Sequence, residues 1–279
     1  MLELAPRHKM GLSLANPVLI ASGCGGYGDS YQRLIDLSLF GALVTNPITL
    51  RPQRGAAQPR LAETTAGFIL DTGAQNPGVR KVIQQHRKSW FRLGLPIITH
   101  LPLAEPDDLR RTARALAGVE TPQGHAAIAA FELGLPPQAD PFDIEHGLQA
   151  IQAGCELPIL VKLPLGSGPE MAAAAAQAQA DALVVGAPPL GRARLTTGEM
   201  VAGHLYGPAL HSLALHDLRL IGEMVNLPLI AVGGIHTLAD AQAFLEAGAV
   251  AVQIDALLFI DPRAAYQIAA ALQPGPSLE

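Results

Sequence analysis

Residues 158–185 decide how this chain folds. Pro158-Ile-Leu-Val-Lys-Leu163 is a short apolar run interrupted only by Lys162. It is followed by the helix-length stretch Pro169–Ala180, with its alanine run Ala172–Ala176, and then by a second apolar run, Ala182-Leu-Val-Val185. Neither run alternates apolar with polar residues as a half-exposed strand does, so both faces of each strand are expected to be buried. Two such strands joined by a helix form the β-α-β unit of a parallel sheet.

The same unit recurs on either side. Further strand-like runs are Pro17–Ala21, Ala42–Thr45, Pro96–Leu101, Ala126–Leu133, Pro228–Val232 and Ala249–Ile254. Helix-length stretches lie between and after them at Ser30–Phe40, Gly78–Arg92, Pro106–Gly118, Pro141–Gly154, Pro208–Val225, Leu238–Ala247 and Pro262–Leu272. Pro96, Pro158 and Pro228 stand at the start of a run, where proline is tolerated and stops a preceding helix. Eight alternations in 279 residues favour a closed (β/α)8 TIM barrel over an open doubly wound sheet. The expectation is one barrel domain over residues 1–279, opened by a short N-terminal β-hairpin. Arg51–Thr65 reads as the longest irregular insertion, and a loop of that length in a barrel is expected to cover the active site.

Composition narrows the function classes. With 49% hydrophobic and 15% charged residues the chain can build a large core. A formal net charge of -5 gives no footprint for nucleic acid or an anionic membrane. No run of 18 apolar residues occurs, and Glu3, Arg7, His8 and Lys9 leave no room for the apolar core of a signal peptide. A cytoplasmic location is expected. Cys24 and Cys155 are too few for a disulfide framework, and the nine histidines show no metal-ligand spacing.

Barrel chemistry sits on the loops that follow the strands. Three signals fall there. Ala231-Val-Gly-Gly-Ile235 ends one strand with paired glycines, whose backbone N–H groups can approach an anion without an intervening Cβ. A tight turn without a ligand is the plain alternative. Lys162, one of four lysines, ends a buried strand and needs a partner charge or a polar cofactor edge; a structural ion pair would also satisfy it. Ser22-Gly-Cys-Gly-Gly26 can pack its backbone against a flat ring, with Cys24 read as a small packing residue rather than a nucleophile.

Further matches run in order along the chain. They are Asn16-Pro17, Ala21-Ser22-Gly23, Gly26-Tyr27-Gly28, Gly41-Ala42 through Ile48-Thr49, Pro59-Arg60-Leu61, Gly73 with Gln75-Asn76-Pro77-Gly78, Val161-Lys162-Leu163, Gly207-Pro208-Ala209, Gly233-Gly234-Ile235 and Val252-Gln253. Together they resemble the soluble, class 1 dihydroorotate dehydrogenases. The resemblance implies a cytoplasmic, FMN-dependent flavoprotein oxidoreductase of pyrimidine biosynthesis, a homo-oligomer such as a dimer, and no membrane-associating extension. It also implies that Ala21, Ser22 and Gly23 line the flavin ring and that Lys162 approaches its N1/O2 side. Gly207, Gly233 and Gly234 would cradle the phosphate.

The departures from the family pattern cluster at the substrate side. The lysine expected after the second strand is Asn46. The substrate-binding asparagine three residues before Gly73 is Leu70. The segment that carries the catalytic cysteine or serine reads Glu132-Leu-Gly134-Leu-Pro-Pro137, so that base falls on Leu135 or Pro137. The asparagine-threonine pair after the sixth strand is Ala187-Pro188, and the phosphate-binding Gly-Thr after the eighth is Asp255-Ala256. Leucine and proline accept no proton, so dihydroorotate turnover is expected to be altered or lost. Asp255 is expected to repel a phosphate.

Two readings stay open. One is a flavin oxidoreductase with a different small-molecule substrate and a base recruited from Asp71, His100, Glu132 or His204. The other is a non-catalytic barrel paralogue that acts as a partner subunit or binds a phosphorylated ligand.

Overall fold

The computed structural model describes residues 1–274; residues 275–279 of the expected 1–279 span lie outside the described residues. An antiparallel pair opens the chain, β1 (Leu2–Glu3) with β2 (Ser13–Leu14). The first two barrel strands are β3 (Val18–Ile20) and β4 (Ala42–Val44). A hairpin follows, β5 (Leu61–Thr64) and β6 (Gly67–Leu70), and then helix α1 (Val79–Trp90). Strands β7 (Ile97–Pro102), β8 (Ala130–Gly134), β9 (Ile159–Pro164) and β10 (Ala182–Ala187) alternate with α2 (Pro106–Ala117), α3 (Pro141–Gln152) and α4 (Gly168–Gln177). A second hairpin, β11 (Leu190–Arg194) and β12 (Met200–Tyr206), precedes α5 (Leu210–Gly222). Strand β13 (Leu229–Val232), α6 (Leu238–Glu246), β14 (Ala251–Ile254), α7 (Ala256–Ile260) and α8 (Pro262–Ala271) complete the order.

Eight strands close into a parallel barrel in the order β10-β13-β14-β3-β4-β7-β8-β9. All eight apolar runs read from the sequence form these strands. Their burial is continuous because each strand has two apolar faces. Leu19, Val44, Ile98, Leu160, Val184 and Ile230 pack together inside the barrel, joined by Leu4, Leu12 and Leu14 from the N-terminal segment. The opposite faces pack against the helices. Helix α2 shows why this works: Leu109, Thr112, Ala113 and Leu116 form one buried stripe at helical spacing, with Pro106 and two aspartates in the first turn. Capping boxes, in which the N-cap and third residues bond each other's backbone N–H, start α3 at Asp140–Asp143 and α6 at Thr237–Asp240.

The fold departs from the sequence reading in two places. Ser30–Phe40 is not an α-helix; only a 3-10 turn forms at Leu37–Leu39, with Asp36 accepting from the Ser38 N–H. Tyr31 has a φ of 64°, which a helix cannot accommodate, yet Ile35, Leu37 and Phe40 still pack into the core. Arg51–Thr65 is not wholly irregular either, because β5 lies within it. The two hairpins pair through β6 and β12 into a four-stranded antiparallel sheet, β11-β12-β6-β5. Their strands carry a small core of Ala62, Ile69 and Val201 while Leu61, Leu190 and Met200 are exposed, so they lack the continuous buried apolar pattern of the barrel. Each hairpin follows a barrel strand, which puts this sheet beside the C-terminal mouth.

Candidate active site at the barrel mouth

Side chains alternate along a strand, so residues two apart share a face. Ile98, Ala130, Leu160 and Ala251 point into the barrel, and the next inward positions on the same strands are His100, Glu132, Lys162 and Gln253. These four polar residues meet above the apolar interior. Lys162 Nζ donates to Gln253 Oε1 at 2.9 Å and lies 3.5 Å from Glu132 Oε1. Gln253 Nε2 donates to Glu132 Oε2 at 2.6 Å, and His100 Nδ1 is 2.7 Å from Glu132 Oε1.

Glu132 is fully buried. Burial alone would raise its pKa, but the Lys162 charge and the bonds from His100 and Gln253 outweigh that and hold it at about 2. The carboxylate is therefore charged and satisfies one fixed cation and one imidazole. Lys162 thus has both a structural ion pair and a place at the cavity.

Above this layer is a cavity of about 370 Å³. Ser22, Gly23, Gly73, Gly134, Lys162 and Ala187 all line it, as do His100, His204, Asp71 and Tyr206. The structure thus brings six of the site positions read from the sequence to one surface. Among the described residues, the lining contains no asparagine or glutamine. Leu135, Pro136, Pro137 and Pro188 stand there instead.

Other positions lie elsewhere. Ala21 is buried beneath the loop, its N–H donating to Ile254 O, while Ser22 Oγ donates to Thr45 O. Leu70 pairs with His204 in the four-stranded sheet and is not part of the cavity lining. Asn46 faces an adjacent cavity shared with Tyr27, Gln53 and Arg60, and its Oδ1 is buried without a partner. The long Arg51–Thr65 stretch contributes to that adjacent space; the turn Asp71–Ala74 is what walls the main cavity. Cys24 is buried, and burial, with the Asp255 charge adding, pushes its thiol above the range in which a thiolate forms.

Gly207, Gly233, Gly234, Asp255 and Ala256 do not line the main cavity; they end β12, β13 and β14. Gly207 has a packing reason of its own. It meets Gly67 across the sheet, and a Cβ on Gly207 would run into the Ala66 carbonyl. Gly233 and Gly234 have φ of 107° and 72°. The N–H groups of Gly233, Gly234 and Ile235 are buried, and no acceptor within the described residues reaches them. Unpaired buried donors are rare, and three in succession form an anion cradle.

On the neighbouring strand end, Asp255 Oδ1 accepts from the Ala256 N–H while Oδ2 is buried and unpartnered. Burial raises the Asp255 pKa against the opposing Ala256 bond and the Lys162 and His236 charges. FMN, which the resemblance implies, fits the row of free N–H groups at Gly233–Ile235, with the buried Asp255 carboxyl on the neighbouring strand end.

Sequence reasoning gave no role to Gln253, Tyr206 or His236. Gln253 carried a usable signal, a polar residue two positions after an inward alanine in a buried strand. Tyr206 and His236 carried none, because their places depend on the hairpin sheet and on the turn after Ile235.

Comparison with known proteins gives a consistent kinship. The family model described as dihydroorotate dehydrogenase matches residues 6–274. A protein of Desulforudis audaxviator (strain MP104C), named dihydroorotate dehydrogenase B (NAD(+)), catalytic subunit, is 35% identical over 281 residues, covering 94% of this chain and 89% of the relative. A protein of the same name from Bacillus mycoides (strain KBAB4) is 34% identical over 269 residues, covering 90% of this chain and 85% of its own.

Proposed function

Because this chain belongs to the dihydroorotate dehydrogenase family, we propose that it is an FMN-binding oxidoreductase whose substrate is a small molecule other than dihydroorotate. The observation that carries the reading is the run of three buried, unpaired N–H groups at Gly233–Ile235, on a strand end of the barrel whose mouth holds Lys162. In this reading Gly233, Gly234 and Ile235 hold the phosphate, with Gly207, Ala256 and Asp255 beside them. Ser22 and Gly23 border the ring, with Ala21 buried beneath them and Asn46 on the adjacent cavity beyond Gly23. When bound, FMN supplies the electron-pair acceptor for a hydride.

The residues of the chain do the rest. Lys162 keeps a fixed positive charge at the cavity floor because Glu132 and Gln253 anchor it. Leu135, Pro136, Pro137 and Pro188 make part of the lining apolar and exclude water there. The same residues argue against dihydroorotate. A pyrimidine's carbonyl and N–H groups would be left unpaired against leucine and proline, at about 1–3 kcal/mol each. Three or four such groups together abolish specific binding.

Two further features come from what the relatives are called. Both are named catalytic subunits of NAD(+) enzymes, and we extend to this chain a separate partner subunit and NAD(+) as electron acceptor. Homodimer formation belongs to the same reading. Among the described residues no helix is long and apolar enough to cross a membrane.

The test is anaerobic mixing of the FMN-loaded chain with dihydroorotate. The flavin absorbance is expected to stay that of oxidised FMN for minutes, while dithionite bleaches it at once. Prompt bleaching by dihydroorotate overturns the altered-substrate reading.

A further inference from the structure

We infer that His100 is the residue that takes a proton from the ligand in the barrel-mouth cavity, with Glu132 as its positioning residue. The inference deepens the oxidoreductase reading and rests on it for the fate of the electron pair. Its own evidence is geometric. Glu132 is charged, so the 2.7 Å contact is donated by His100 Nδ1–H. That fixes the tautomer and leaves the Nε2 lone pair free. Nε2 has no partner among the described residues and is not among the buried unpartnered atoms, while His100 lines the cavity.

Gly134 makes room for this ring. A Cβ at residue 134 would come within 2.5 Å of Nε2. The strand position from which a side chain would otherwise reach the cavity is thus stripped to glycine, and the imidazole from the neighbouring strand occupies the space. His100 and Glu132 are direct partners in the β7–β8 register, so the dyad is held by two rigid strands rather than by a loop.

Other titratable groups face the same cavity. They are Lys162 from β9, Asp71 from its turn, and His204 and Tyr206 from β12, while Glu132 from β8 is buried beneath the lining. Lys162 Nζ is engaged with Glu132 and Gln253. The Tyr206 hydroxyl is driven by burial, with the Cys24 and Asp255 charges adding, far above its ordinary range. Asp71 Oδ1 accepts from the Gly73 N–H. His204 is the closest rival, but its Nδ1 donates to the Pro188 carbonyl, a neutral acceptor. Only His100 has a buried carboxylate to compensate the charge of the imidazolium it would become.

The proton balance defines the ligand class. A C–H or N–H bond of the ligand breaks, its proton forms the Nε2–H bond, and the electron pair stays on the ligand. The cluster of His100, Glu132 and Lys162 then carries one net positive charge, next to a ligand that has become an anion. That favours a planar carbonyl compound whose deprotonated form spreads its charge onto oxygen.

The test is long-range proton–nitrogen NMR on the FMN-loaded full chain with nitrogen-15 histidine, His100 being assigned by His100→Gln. The neutral His100 ring is expected to carry its proton on Nδ1, and Glu132→Gln, whose amide can donate as well as accept, is expected to weaken that preference. Diethyl pyrocarbonate is expected to acylate His100 at Nε2. A proton on Nε2, an Nδ1 preference unchanged in the variant, or an unreactive ring overturns the inference. The wild-type tautomer decides even if Glu132→Gln fails to fold. The same spectra recorded without FMN keep the two claims apart, because failure to take up FMN sinks the oxidoreductase reading and leaves the state of His100 measurable.

Discussion

The imidazole of His100 occupies space that a β-carbon on residue 134 would need, so the histidine and Gly134 form a complementary pair. The glycine carries no left-handed φ that would demand it; its reason is the neighbouring ring. Gly134→Ala is expected to force the ring off Glu132 and cost about 1–3 kcal/mol, as overpacking in a tight core does. Urea unfolding measures it. Gly118→Ala, whose Cβ meets only ordinary contacts beyond about 3.5 Å, is the control and is expected to change stability by under about 0.5 kcal/mol.

Lys162→Met removes the one fixed cation beside Glu132 and leaves a fully buried carboxylate short of its charge partner. The expected loss is about 3–5 kcal/mol. The double change Lys162→Met with Glu132→Leu is expected to cost less than the sum of the two single changes. Additive losses in denaturant titrations would show that the pair is not coupled.

Acid stability follows from the same carboxylate. Glu132 sits at about 2 in the fold against an ordinary 4.5, so its pKa is depressed and the unfolded chain binds the extra proton first. Its contribution is fully present above about pH 4.5 and is lost as the pH falls towards 2. Its size is roughly 3 kcal/mol at neutral pH. Unfolding free energies from pH 6 down to about 2.5 are expected to fall more steeply for the wild type than for Glu132→Gln. Parallel slopes would contradict the assignment.

How much of this was legible beforehand depended on the kind of signal. Barrel strands buried on both faces announce themselves as runs such as Leu229–Val232, and all eight were readable. The hairpins were not, because β11 and β12 mix exposed apolar residues such as Leu190 and Met200 with small and charged ones, and gain their order from pairing with each other and, through β12, with β6. Ser30–Phe40 misled because Ile35, Leu37 and Phe40 supply apolar residues at plausible spacing, while the left-handed Tyr31 is invisible in sequence. At the site, Lys162 stood out as a charge in an apolar run. The His100–Gly134 exchange did not, since it links two strands 34 residues apart in the chain and appears only when their register is known. The loss of amides at Leu70 and Ala187 was readable, but Leu70 lies outside the cavity while Ala187 lines it.

Gly234→Ala tests the cradle locally. Residue 234 has φ of 72°, and a Cβ there would press on the His211 backbone. The variant is expected to lose about 1–3 kcal/mol of stability and at least tenfold in FMN affinity, about 1.4 kcal/mol. Flavin fluorescence quenching reads the second effect. Unchanged FMN binding in a folded Gly234→Ala protein would remove Gly234 from the phosphate site.

The most direct measurement compares FMN with riboflavin, which differ only in the phosphate, by calorimetric titration of the full chain. If the Gly233–Ile235 amides hold that phosphate, FMN binds at one per chain and about ten- to a hundredfold more tightly than riboflavin, the worth of one or two charge-assisted hydrogen bonds. Equal affinity for the two flavins, or no uptake of either, contradicts the account.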